Sequence, residues 1–213
     1  MTWLERPWFV KICGVTSPGD AGVVAASGAS ALGVILTASR RRVALAECAA
    51  ILAAAGADVL RVAVVRADDD PGLLDGLVAA GFGAVQVHGA VTPAQRRRWR
   101  DAGLGLIAAL SVSDPATTAF DDADVDAVLL DGPRPGSGEE HGWEVLSARR
   151  FLAPVIAAGG LTPENVAALV ERLPVWGVDV ATGVEEAPGV KDPARVLDFV
   201  EAATRGFAAR EVT

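Results

Sequence analysis

Apolar residues along this chain alternate between two kinds of segment. Short, nearly continuous apolar runs occur at FVKIC (9–13), ALGVIL (31–36), VLRVAVV (59–65), AVQVH (84–88), LGLIAAL (104–110), AVLLD (127–131), PVIAA (154–158) and GVDVA (177–181). Unbroken apolarity of this kind marks parallel strands covered on both faces. Between the runs lie alanine-rich stretches with helical period. Three of these predicted helices carry start and stop signals: Ser17 before Pro18, closing at Gly28; Thr92 before Pro93, closing at Gly103; and Thr162 before Pro163 and Glu164, closing at Pro174. The fifth connection, 111–126, is polar and short, so its helix is expected to be one or two turns.

Eight β/α rounds with no compositional break that would mark a linker predict a single-domain (β/α)8 TIM barrel over residues 1–213. An open doubly wound sheet has the same pattern, because strand closure leaves no mark in the sequence.

Composition narrows the partners. The chain has 213 residues, 51% of them hydrophobic, which supports an ample core. Its formal charge of −8 provides no general field for nucleic acid or anionic membrane, so an anionic ligand needs a local site. Its two cysteines, Cys13 and Cys48, show no metal-type spacing and no disulfide framework, which fits a cytoplasmic protein. The N-terminal MTWLERPWFVKICG lacks the apolar core of a signal peptide, and AAILAAAGA is too short to span a membrane.

In a (β/α)8 barrel the active site forms at the carboxyl ends of the strands. That rule selects Cys13, the segment Thr37–Arg42, His88, Asp131, Gly159 with Gly160, and Thr182 with Gly183. The two glycine sites follow strands seven and eight, the usual phosphate position in this fold, although glycines there also simply permit tight turns. Asp131 ends an apolar strand, where desolvation favours its neutral form and suits a general acid; a loop cap is the plainer reading. Cys13 is either a packed core residue or a thiol placed for chemistry. Within Arg40–Arg42, one side chain turned inward would hold a carboxylate in bidentate fashion. RRRWR (96–100) reads as an exposed helix face, and Cys48, in mid-helix, as packing. With only His88 and His141, no metal centre is expected, and His88 reads as a structural group.

Seven stretches in order resemble the phosphoribosylanthranilate isomerase family: KICG with T-x-P-x-D-A (11–21), GASALG (28–33), VQVHG (85–89), LLDG (129–132), GSG…W (136–143), AGGLTPENV (158–166) and VDVATGVEEAPGVKD (178–192). The resemblance implies a cofactor-free barrel that performs the Amadori rearrangement of a phosphoribosylated small molecule in tryptophan biosynthesis. It assigns Cys13 as general base, Asp131 as general acid, and Arg41, with Arg42 as the alternative, as the group binding the anthranilate carboxylate. It places the phosphate at Gly159, Gly160, Thr182 and Gly183. A monomer or homodimer is expected. Lys11 lies two residues from Cys13 on the same strand face, so its charge can help to ionise the thiol.

Three departures stand out. The family's aromatic-Pro-Lys-Ser segment is LTAS here, its Ser-Ser-Gly is Ala181-Thr182-Gly183, and its Lys-x-Phe is Glu139-Glu140-His141. The rival readings are a histidine-pathway or bifunctional phosphoribosyl isomerase, in which Asp is expected at the place of Cys13, a metal-dependent pentose-phosphate epimerase, which the histidine count disfavours, and a barrel that binds phosphoribosyl ligands without turning them over.

Overall fold

A computed structural model of the chain describes residues 3–69, 72–132, 146 and 149–211. The segment GSG…W and the triplet Glu139-Glu140-His141 lie outside the described residues. Eight parallel strands close into a barrel in sequence order. They are β1 (Phe9–Cys13), β2 (Ala31–Ile35), β3 (Leu60–Arg66), β4 (Ala84–His88), β5 (Gly105–Ser111), β6 (Ala127–Asp131), β7 (Val155–Ala158) and β8 (Gly177–Val180). Each lies within a residue of its expected position. Closure comes from β1 pairing with both β2 and β8, which excludes the open sheet.

Helices α1 (Pro18–Ala26), α2 (Cys48–Ala54), α3 (Leu73–Ala80), α4 (Pro93–Asp101), α5 (Val166–Arg172) and α6 (Pro193–Glu211) cover the outside. Two of the start signals act as expected. Ser17 accepts from the Asp20 N–H, and Thr92 exchanges hydrogen bonds with Gln95 in a capping box. The third differs: α5 begins at Val166, not behind Thr162. The Asn165 carboxamide takes the Thr162 N–H at 2.8 Å and donates to the Gly160 carbonyl at 2.9 Å, holding the intervening residues in a turn. The fifth connection contains only a 3₁₀ turn, Pro115–Ala119.

Outward strand residues such as Val10, Ile12 and Val85 join the helices in one apolar cluster, while Phe9, Val62, Ile107 and Ile156 fill the lumen. At the amino end of the barrel, Trp3 and Trp176 pack on Phe9 with ring centroids 5.5 and 5.0 Å away. Two expectations fail locally. Arg96 is buried: its guanidinium lies over the Phe120 ring and donates to the Asp121 carbonyl, so RRRWR is not wholly an exposed face. Cys48 opens α2 instead of sitting within it, fully buried.

Candidate active site

The carboxyl ends of the strands surround a cavity of about 420 Å³. Seven residues singled out by strand position line it: Cys13, His88, Asp131, Gly159, Gly160, Thr182 and Gly183. Arg41 stands at its edge, in contact with Thr182.

Cys13 is the last residue of β1 and is 6% exposed. Alternation along the strand turns Lys11 to the same interior face. Lys11 is fully buried and donates to Asp179 Oδ1 at 2.9 Å, across the β1–β8 seam where the two residues are register partners. Burial alone would lower the Lys11 pKa, but Asp179 and the Cys13 sulfur outweigh it and the ammonium is held charged. Burial pushes the Cys13 thiol up, and Lys11 is the largest influence pulling it back.

Asp131 ends β6, two strands from β8. It stays open to solvent at the cavity wall, more exposed than an apolar strand end suggests. Enough protein surrounds it for lost hydration to raise its pKa, and the Asp179 carboxylate adds to the rise. Asp179 therefore acts on both groups from between them.

The glycines have steric reasons to be there. Gly159, at φ +87°, leaves room that a Cβ would lose: such an atom would fall 2.6 Å from the Gly132 nitrogen and 2.7 Å from Asp131 Oδ1. At Gly183 a Cβ would lie 1.9 Å from the Leu161 carbonyl oxygen. That contact presses the loop after β8 against the loop after β7, so Gly160, Thr182 and Gly183 converge on one end of the cavity.

Of the three arginines, Arg41 is the one turned inward. Its Nε and Nη2 donate to Glu185 Oε1 and Oε2 at 2.7 and 2.6 Å, and Nη2 also donates to Thr182 Oγ1 at 3.1 Å. Its Nη1 has no hydrogen-bond partner among the described residues. Its stem crosses Gly14, whose φ of +74° already favours glycine, and a Cβ there would meet Arg41 Cδ at 2.5 Å. Arg42 points elsewhere, to the Leu36 carbonyl.

Glu185 belongs to a two-stranded hairpin, Glu185–Ala187 with Val190–Lys191, that the hydrophobic pattern does not announce. The fully buried Lys191 side chain donates to Glu185 Oε1 at 2.9 Å, to the Cys13 carbonyl at 2.6 Å and to the Ala181 carbonyl at 3.1 Å. Burial would raise the Glu185 pKa, but Arg41 and Lys191 hold it below its ordinary value. One chain of contacts thus links the Cys13 backbone to Arg41 and Thr182. Gln86 and His88 also line the cavity, with the Gln86 amide nitrogen 3.1 Å from His88 Nε2. Burial, and after it the Lys11 charge, lower the His88 pKa.

Strand-end reasoning missed Asp179, Glu185, Lys191 and Gln86. A signal existed for Asp179: a charge inside an apolar strand requires a buried partner.

Three comparisons place this geometry among known proteins. A family model described as N-(5'phosphoribosyl)anthranilate (PRA) isomerase matches residues 10–202. The N-(5'-phosphoribosyl)anthranilate isomerase of Rubrobacter xylanophilus is 40% identical over 201 residues, covering 91% of this chain and 98% of the relative. The crystal structure of TrpF from Jonesia denitrificans superposes with a TM-score of 0.82 at 31% identity, covering 95% of this chain and 99% of that one. A phosphoribosyl anthranilate isomerase solved in complex with reduced 1-(o-carboxyphenylamino)-1-deoxyribulose 5-phosphate matches with a TM-score of 0.78 at 27% identity, covering 93% of this chain and 99% of that one.

Proposed function

The chain belongs to the N-(5'-phosphoribosyl)anthranilate isomerase family of tryptophan biosynthesis, and from that premise we propose that Cys13 and Asp131 are the base and acid of an Amadori rearrangement in this cavity. The observation that carries the reading is that both side chains line one cavity with the two glycine loops.

Asp131 donates its proton to the ribose ring oxygen; the C1′–O bond breaks and the nitrogen lone pair forms the Schiff base. Cys13, as thiolate, takes the C2′ proton. The C2′–H electrons form C1′=C2′, the iminium becomes an enolamine, and tautomerisation gives 1-(2-carboxyphenylamino)-1-deoxyribulose 5-phosphate. Each placed proton transfer contributes about two to four decades of rate. The raised pKa of Asp131 suits the acid role.

Gly159, Gly160, Thr182 and Gly183 would hold the phosphate, and the missing side chain of Gly159 also leaves Asp131 its place. Arg41 would take the anthranilate carboxylate through Nη1, the donor that Glu185 and Thr182 leave free. Its bidentate hold on Glu185 fixes the plane of the guanidinium before substrate arrives. Cys13 also separates this reading from the histidine-pathway isomerases, in which Asp is expected at that place.

The test is to mix the purified protein with freshly generated phosphoribosylanthranilate and follow the loss of its fluorescence. The expected result is decay far faster than the spontaneous reaction; a rate equal to the spontaneous one refutes the reading.

A further inference from the structure

We propose that the Lys11–Asp179 ion pair is a positioning dyad for the base: Asp179, brought to β1 by barrel closure, aims the Lys11 ammonium at the Cys13 sulfur so that the thiolate forms within the barrel. The inference rests on the reading of Cys13 as the base.

Three observations converge on it. Lys11 has no exposed surface, and its ammonium has three protons to place, of which Asp179 Oδ1 takes one at 2.9 Å. Gly33 is the register partner of Cys13. A Cβ there would lie 2.9 Å from Cys13 Sγ and 3.0 Å from Lys11 Nζ, so sulfur and ammonium crowd into the one space that a missing side chain leaves open. Finally, the strand alternation that points Cys13 at the cavity points Lys11 the same way.

Other charges face the thiol as well. Asp179 opposes ionisation, Lys191 favours it while donating to the Cys13 carbonyl, and Arg41 interacts with it from the loop after β2. Asp131 and His88 share the cavity. Among the groups that lower the thiol's pKa, Lys11 acts most strongly. In the proposed step the Cys13 S–H proton leaves to water in the cavity. The thiolate, paired with Lys11, then forms a new S–H bond as the substrate C2′–H bond breaks.

This arrangement fixes the shape of the pH profile. A carboxyl ordinarily titrates well below a thiol, and burial raises both groups here, with Asp179 adding to each rise. The working form, carboxyl protonated and thiol ionised, is then a constant minor fraction between the two values. The upper break of kcat/KM belongs to Cys13, and the plateau falls tenfold for every pH unit by which the thiol rises.

The experiment uses Lys11→Met, the double variant Lys11→Met/Asp179→Asn, which removes the orphaned carboxylate, and Lys11→Arg. Alkylation of Cys13 by iodoacetamide is followed against pH by peptide mass, which separates it from Cys48. The expected result is a midpoint about one to three pH units higher in both Met variants, as loss of a close opposite charge dictates. The kcat/KM plateau should fall tenfold per unit of that rise, and Lys11→Arg should restore both. A folded double variant whose midpoint equals the parent's overturns the proposal, as does a lowered plateau with an unmoved upper break. Alkylation needs no turnover, so these outcomes stay separate from the base assignment, which would fall if Cys13→Ser turned over at the parent rate.

Discussion

Glu185→Gln removes one charge from the contact chain that joins Arg41 to the Cys13 backbone, at nearly constant volume. Lys191 Nζ is then left with the Cys13 and Ala181 carbonyls and a neutral amide, although its side chain is fully buried. Breaking a buried pair by removing one partner costs about 3–5 kcal/mol, and the retained carbonyls place this case at the lower end, about 3 kcal/mol. For a chain of this size each kcal/mol lowers Tm by about 2–4 °C, so a loss of roughly 6–12 °C is expected by calorimetry at pH 7. The dependence on pH has a definite sign. The folded-state pKa of Glu185 is depressed, so the stabilisation is fully present above the unfolded carboxylate value of about 4.3 and disappears as pH falls through the lower folded value. The gap between parent and variant should therefore close in acid. Glu185→Gln/Lys191→Met, which removes both charges, should recover more than half of the loss. A single variant melting within 1 °C of the parent at pH 7, on the same ~2–4 °C per kcal/mol scale, would show that the Glu185 charge does not stabilise the contact chain.

Two further outcomes follow from the loops. Gly183→Ala places a methyl against the Leu161 carbonyl; the overpacking should cost about 1–3 kcal/mol, seen as a lower Tm, with weaker stabilisation by inorganic phosphate in the same scan. An unchanged melt would show that the loops do not press together as described. Arg41→Met removes a charge-assisted contact worth about 1.5–3 kcal/mol, so steady-state kinetics should show KM rising roughly tenfold to a hundredfold with kcat little changed. A fall in kcat alone would contradict the carboxylate role.

Much of the barrel was readable because strands covered on both faces must be apolar throughout, and each of the eight runs lies within a residue of its observed strand. The site was partly readable for a similar reason: strand ends are local features, and Cys13, Asp131, Gly159 and Thr182 are found by counting along runs. Pairings across the closure are not local. Lys11 and Asp179 each stand out as a charge within an apolar strand, yet they are 168 positions apart, and only the β1–β8 seam shows that they meet. Arg41 and Glu185 are 144 apart, and Glu185 sits in a short polar hairpin that hydrophobic periodicity does not mark. The late start of α5 has a local cause of another kind: the Asn165 carboxamide accepts from the Thr162 N–H and donates to the Gly160 carbonyl, holding the preceding residues in a turn.

The proposal that Cys13 and Asp131 move protons, and do not merely hold the ligand, is open to direct measurement. Its most direct test measures two quantities on Cys13→Ser and Asp131→Asn: turnover of phosphoribosylanthranilate, and affinity for reduced 1-(2-carboxyphenylamino)-1-deoxyribulose 5-phosphate by calorimetric titration. Each substitution should lower kcat by about 10²–10⁴-fold while affinity for the reduced product stays within a few-fold of the parent. Parent-like turnover in either variant, or a loss of affinity as large as the loss of rate, would contradict it.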